Sequence, residues 1–163
     1  MALLKRTDIV DFIDTTPTAQ TPTWVLVGDG MTTGTWTYEA AETSETYIIH
    51  DSATTTIDNY NVSLDGEMKC KKGDGAFDFI DGLRKRRAIG DDAKTHVLSI
   101  YKYDVDENDK YAAEMSDATI SISSFGGDGG ATPTIGFTIA KNGDPTLGKA
   151  TINNSTPEFT PTV

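Results

Sequence analysis

The sequence predicts a mainly β domain, a sandwich or barrel-like fold with one flanking α-helix. Three observations carry that expectation. Several short runs alternate polar and apolar residues with a period of two, the pattern of a half-buried strand. Threonine is abundant, and its branched side chain suits a pleated surface. Only one stretch, about residues 75–88, spaces its apolar positions as a helix does. At 163 residues the chain is long enough for one domain with a sizeable core.

The elements follow in order. Residues 1–21 read as an N-terminal arm whose Leu3, Leu4, Ile9, Val10, Phe12 and Ile13 dock it onto a surface. Pro17 and Pro22 then punctuate a polar stretch. Trp24 to Val27, Thr35 to Tyr38 and Glu45 to His50 read as short strands, and residues 51–57 as an exposed connection. From Ile57 to Cys70 a longer strand sets Asn59, Asn61, Ser63 and Asp65 against Tyr60, Val62 and Leu64, and Gly66 marks a bulge or bend. Asp74 is placed to cap a helix in which Phe77, Ile80 and Leu83 share a face. Asp78 and Asp81 lie near its start and Arg84 to Arg87 at its end, both in the sense the helix dipole favours, and Gly90 can stop it. Thr95 to Tyr103, Tyr111 to Met115 and Ala118 to Phe125 are further strands. Thr134 to Ala140 and Thr146 to Ile152 read as a hairpin about an Asn142-Gly-Asp-Pro145 turn, with residues 153–163 as a C-terminal arm. The β domain proper therefore spans 22–152.

Composition narrows the function. A net charge of −11 argues against a general phosphate binder, because nucleic-acid affinity rests on clustered Lys and Arg. No apolar run approaches membrane-spanning length, and the first residues lack the features of a secretory signal. A single cysteine, Cys70, rules out an intrachain disulfide and fits a reducing compartment. His50 and His96 have no partner nearby in sequence and read as ordinary strand residues. Asp104, Asp106 and Asn108 imitate the start of a calcium loop, but Asp109 stands where glycine is needed and Met115 where the bidentate glutamate belongs. The glycines around Asp128 do not form a phosphate cradle, since a carboxylate sits at the centre. No nucleophile, base and orienter set is visible, so an enzyme is not expected, and no metal or cofactor.

One block stands apart. Residues 69–87 hold seven of the 14 bases and three acids, a net +4 that leaves −15 on the remaining residues. Lys69, Lys71, Lys72, Arg84, Lys85, Arg86 and Arg87 are either a solvated helix end or a patch that docks on the acidic surface of a second copy. Asp51 and Asp58, in and beside the exposed connection, are the matching acids. DNA binding through the block is a third reading.

The segment Tyr60-Asn-Val-Ser-Leu-Asp-Gly-Glu-Met-Lys-Cys70, then Lys72-Gly-Asp and Phe77-Asp-Phe-Ile-Asp-Gly-Leu-Arg84, resembles the central strand–helix segment of major tail (tail tube) proteins of long-tailed bacteriophages. Ala118 to Asp128, Ile135 to Ile139 and Asn142 to Pro145 resemble their C-terminal third, so the likeness spans roughly 60–152. The resemblance implies a structural virion protein made in the bacterial cytoplasm. It implies hexameric rings that share a continuous inner β-barrel and stack into a hollow tube conducting duplex DNA without specific binding. Tape measure, tail terminator and distal tail proteins are the implied partners. The inner tube of a contractile tail or of a type VI-like secretion system is the alternative with the same fold, and a monomeric carbohydrate-binding sandwich the alternative of another class. A lumen must not hold DNA, so strand faces that are small, neutral or acidic are the candidates to line it. These are Asn59, Asn61, Ser63 and Asp65; Thr119, Ser121 and Ser123; and Thr134, Gly136 and Thr138.

Overall fold

The computed structural model describes residues 1–162. Its elements are β1 (Ile9–Asp14), β2 (Trp24–Val27), β3 (Trp36–Glu45), β4 (Thr54–Lys69), α1 (Gly75–Lys85), β5 (Lys94–Val105), β6 (Tyr111–Gly126), β7 (Thr134–Asn153) and β8 (Thr156–Pro161), with short 3-10 turns at Arg6–Asp8 and Gly90–Ala93. The fold is mainly β with one helix. All eight strands belong to one antiparallel sheet in the order β2-β1-β5-β6-β7-β4-β3, with β8 added beside β7.

One sheet makes the layers because it folds over at a corner. Met115 of β6 faces Thr146 of β7, yet Asp117 faces Asn142, so Gly143, Asp144 and Pro145 oppose Ser116 alone. This is a larger bulge than the usual two residues against one, and bulges bend strands. The expected hairpin at 142–145 is therefore this corner inside a continuous β7, and the two strands expected over 111–125 are one β6. Gly143, with φ +66, takes the backbone angle the bend needs, which is why the segment reads as a turn. Beyond the corner the second half of β6 and the first half of β7 join β4 and β3. Before it the other halves join β5, β1, β2 and β8.

The fold-over builds two cores. Ile13 and Val97 meet Leu64, Met68, Ile120, Ile135, Phe137 and Ile139 in the first, which the Phe77, Ile80 and Leu83 face of α1 closes. Phe12, Leu98, Ile100, Ala113 and Ala150 form the second, with Phe159 of β8 packed against it. Adjacent residues of β1 thus feed opposite cores, which alternation along a strand requires. Trp36 of β3 donates its indole N–H to Asp11 of β1 at 3.1 Å, tying together strands that lie far apart in the sheet order.

Several expectations change. The arm over 1–21 contains β1, a strand buried in the sheet, and the arm over 153–163 contains β8, because both carry alternating apolar residues that the two cores need. The strand expected at 35–38 continues to Glu45 as β3, residues 46–50 of the second expected strand lie in the turn that follows it, and β4 begins at Thr54, inside the expected connection. Asp74 caps α1, accepting the Phe77 N–H at 3.0 Å. The helix stops at Lys85, short of 88, because Arg87 adopts a left-handed φ of +46 and Ala88 N–H closes onto Leu83 C=O at 3.0 Å. Gly66 is not a bulge. A Cβ there would lie 2.6 Å from the Phe137 ring, so the glycine makes room for the aromatic.

Candidate assembly surface

The second half of β6, the first half of β7, β4 and β3 lie side by side, and their residues alternate between the first core and solvent. Register sets the solvent side in rows. Thr37, Ser63, Ala140 and Thr119 form one row; Asp65, Thr138 and Ser121 the next; then Glu67, Gly136 and Ser124; then Lys69, Thr134 and Gly126. Glu39 and Asn61 extend the surface on the other side. The sequence-predicted Asn61, Ser63, Asp65, Thr119, Ser121, Thr134 and Thr138 therefore share one face. Thr138 donates to Asp65 at 2.6 Å, and Asn142 to Thr119 at 2.8 Å. Ser123 sits at a second bulge, between Ile122 and Ser124, and its hydroxyl lies 2.7 Å from where a Gly136 Cβ would be. Asn59 belongs to the same side, further along the β3–β4 pair, opposite Ala41.

Thr37, Glu39 and Glu67 escaped the sequence reading. Glu67 continues the two-residue step from Asn61 to Asp65 and could have been found. Glu39 was hidden because the expected strand stopped at Tyr38, and Thr37, inside that strand, faces the surface only through its pairing with Ser63. The face carries Glu39, Asp65 and Glu67 against one base, Lys69, at its margin.

Both sides of this four-stranded unit end in open edges. β3 pairs only with β4. β5 leaves β6 at Thr119, so Ile120–Gly126 has a strand partner on the β7 side alone. Among the described residues neither edge has a further backbone partner.

β4 pairs with β7 only from Ser63 onward, so the rest of β3 and β4 projects as a two-stranded ribbon. Its upper side is polar, with Thr43 donating to Asp58 at 2.5 Å. Its underside is apolar and open: Tyr38, Ile57 and Tyr60 are each at least half exposed. Tyr60, expected in the core with Leu64, is out in solvent because the ribbon overhangs the layer that would cover it. Its ring meets Tyr38 edge-on at 6.5 Å. The tip, residues 46–53, carries the exposed Tyr47, Ile48, Ile49 and Asp51.

The basic block is divided by its own acids. Asp81 binds Arg84 at 2.8 Å and Lys85 at 3.0 Å, and Arg84 also stacks on Phe125 at 3.7 Å. Burial alone would raise the Asp81 carboxyl, but hydrogen bonds and charge from Lys85 and Arg84 outweigh it and hold the group below the usual range. Lys71 pairs with Asp29 at 2.8 Å. Lys69, Lys72, Arg86 and Arg87 form no ion pair among the described residues and stay available, with Arg86 lining a cleft of about 800 Å³.

Sequence reasoning missed two polar networks. Lys141 is buried and pairs with Glu114 at 2.6 Å, its ammonium 4.3 Å from the centre of the Trp36 ring. Burial, then the charge of Glu114, pushes the Tyr101 hydroxyl up, so it stays protonated. His96, read as an ordinary strand residue, has Nδ1 3.1 Å from buried Asp14 and Nε2 3.5 Å from Asp117. Asp14 also accepts the Thr16 and Thr23 N–H groups at 2.9 Å, so the cluster fastens the turn between β1 and β2. Among the described residues the imidazole meets only these two carboxylates.

No protein-family model matches the chain, and no curated protein does. Solved structures do. A chain from the tail of an empty GTA particle, a helical reconstruction with C6 symmetry, is 12% identical with a TM-score of 0.62, over 89% of this chain and 98% of that one. A chain of the six-fold symmetrised anti-feeding prophage (AFP) baseplate is also 12% identical, over 90% and 97%, but its TM-score of 0.48 carries no argument. The polar four-stranded face and its two open edges thus sit on the fold that this chain shares with a subunit of the GTA tail.

Proposed function

We propose that this protein is a tail tube subunit. Six copies close into a ring, rings stack, and the hollow assembly conducts duplex DNA. The observation that carries the reading is the four-stranded polar face bounded by two open edges. An unpaired edge is a template for another strand, and a soluble protein ordinarily blunts it. Here β3 of one copy pairs with Ile120–Gly126 of the next, and six such joints leave no edge. Six copies of four strands at ~4.8 Å spacing, tilted by about 45°, enclose a backbone diameter of about 50 Å, roomy for duplex DNA after side chains are added.

The face chemistry suits passage. Affinity for DNA grows with each phosphate neutralised. A wall of Ser, Thr, Asn, Glu39, Asp65 and Glu67 offers a phosphate one cation, Lys69 at its margin, and its acids outnumber that base and repel the duplex. Lys72, Arg86 and Arg87 lie off that face, free to meet the acidic surface of a neighbour. The C6 symmetry of the GTA tail and the shared fold support six as the ring number.

Negative-stain electron microscopy of the purified protein over a range of concentrations tests the reading. Rings or hollow tubes are expected. A protein that stays monomeric throughout and binds a glycan tightly would refute it.

A further inference from the structure

We infer the register of the joint between copies: Tyr38 of β3 lies opposite Phe125 of β6 in the next copy. This rests on the tube reading above and deepens it, from which strands meet to which residues meet. The joint is antiparallel, because β6, β7, β4 and β3 alternate in direction and the next β6 continues the series.

Alternation and closure narrow the choice. A slip of one residue turns every side chain to the other face, so only even shifts keep the polar face continuous from copy to copy. Thr37, Ser63, Ala140 and Thr119 lie in one row across a subunit. Four strands at ~4.8 Å carry that row about 19 Å sideways, and at a tilt of about 45° the next copy regains the same height after an equal run along the strand, about six residues at ~3.3 Å. A shift towards residues before Thr119 is blocked, because β5 occupies that side of β6. Counting the other way, and passing over Ser123, which the bulge leaves unpaired, the sixth position from Thr119 is Gly126. Thr37 then faces the next copy's Gly126, Tyr38 its Phe125, Glu39 its Ser124 and Ala41 its Ser121.

The two edges fit at this shift. Every ladder position of the open Ile120–Gly126 edge gains a partner within β3, from Thr37 to Glu42. It also brings together Tyr38, 57% exposed, and Phe125, 50% exposed, the half-bare aromatic rings of the two edges. Both lie on the side away from the polar face, since Phe125 stands beside buried Ile135 and Tyr38 follows Thr37. Arg84 stacks on Phe125 at 3.7 Å and leaves half of the residue bare for a second ring. A shift of four would close at a tilt of about 35°, but it leaves Gly126 opposite a residue outside β3 and sets Phe125 against Trp36.

The hydrogen-bond phase agrees. Cys70 N–H donates to Pro133 C=O at 2.9 Å, while Lys69 N–H turns the other way, to Gly30 C=O at 3.0 Å. Outer residues of β4 thus bond towards β7 and those of the polar face towards β3. Carried across the sheet, this alternation aims the backbone groups of the outer residues of β3 and β6 at their open edges. Tyr38 and Phe125 become a hydrogen-bonded pair, and Glu39 and Ser124 the closer, non-hydrogen-bonded pair.

The test is disulfide trapping on a Cys70→Ser background, which removes the native thiol. Tubes are assembled from double variants, oxidised briefly and run on non-reducing gels. Glu39→Cys with Ser124→Cys, and Ala41→Cys with Ser121→Cys, match the register, and each should give a ladder that stops at the hexamer. Glu39→Cys with Ser121→Cys matches a shift of four and Ala41→Cys with Ser124→Cys a shift of eight, and both should stay monomeric on the gel. A mismatched pair that traps as well as the matched ones overturns the register. Tubes without a ladder from the matched pairs also overturn it and leave the tube reading standing, whereas a parent chain that forms no tubes at any concentration overturns both. Alanine variants give a second measurement free of introduced cysteines. Tyr38→Ala and Phe125→Ala should each raise the concentration for half assembly by about tenfold, and the two together by well under about a hundredfold, because they remove one shared contact. A full hundredfold means that the rings do not meet and overturns the register.

Discussion

Replacing Lys141 with methionine tests how the sheet corner is held. Lys141 of β7 lies one residue before the corner and Glu114 of β6 two residues before its partner bend, and the two are 2.6 Å apart. Their side chains are 7% and 17% exposed, so water screens the pair poorly. Methionine keeps most of the packing against Trp36 and removes the charge. Glu114 is then left largely buried without a counter-ion, a change that typically costs about 3–5 kcal/mol. The open side of Glu114 lets some water in, which favours the lower end, about 3 kcal/mol. For a chain of this size that corresponds to a fall in Tm of about 6–12 °C. Urea denaturation measures it, with the m-value unchanged if the fold is kept. Adding Glu114→Gln removes the stranded charge but keeps an acceptor for Tyr101. The double variant should recover to within about 1.5 kcal/mol of the parent, for a coupling of at least about 1.5 kcal/mol. A single variant that loses less than about 1 kcal/mol, or a double variant as unstable as the single, refutes the reasoning.

Tubes built from Asp65→Lys/Glu67→Lys should retain duplex DNA with an affinity that falls steeply as salt rises, while parent tubes retain none; gel shift across a salt series reads both. Gly66→Ala should cost about 1–3 kcal/mol in urea denaturation, because its Cβ would lie 2.6 Å from Phe137 and 3.0 Å from Met31. Asp81 has a lowered carboxyl pKa, so its stabilising contribution is present above the ordinary carboxylate value of 3.8 and is lost as pH falls through the lowered one. Asp81→Asn should therefore be less stable than the parent at neutral pH, with the gap closing in thermal melts as pH falls below the ordinary carboxylate value of 3.8. Arg86→Glu/Arg87→Glu should leave the circular dichroism spectrum and Tm nearly unchanged yet block assembly, whereas Arg84→Glu should also lower Tm, because it breaks the pair with Asp81.

What could be read in the sequence was whatever repeats locally. The step of two from Asn61 to Asp65 and from Ile135 to Ile139 put the right residues on opposite faces, and Asp74 announced its helix. What escaped depends on contacts across the fold. Asn142-Gly-Asp-Pro145 carries every local mark of a hairpin, yet β6 runs past it on the other side, and only that pairing makes it a corner. Ile9 to Asp14 looked like an arm because nothing local says that β5 lies beside it. Lys141 and Glu114 are 27 positions apart and Asp14 and His96 are 82 apart. Neither pair leaves a trace until the sheet folds over.

The two open edges differ in a way that bears on which contact forms. β3 carries Glu39, Glu42 and Glu45, whereas Ile120–Gly126 of β6 has no charged residue. Pairing β3 with another β3 sets glutamates against glutamates, and like charges across a ladder are unfavourable. Pairing β6 with another β6 meets no such penalty, but it uses up two neutral edges and leaves two acidic ones with no partner that does not repel. Only β3 against β6 satisfies every edge, and that joint is head-to-tail. A head-to-tail joint repeats with a constant rotation and closes into a ring when the rotation divides a full turn. The acids of β3 thus disfavour the symmetric β3–β3 joint, and the proposed ring follows from the head-to-tail pairing that leaves no edge open.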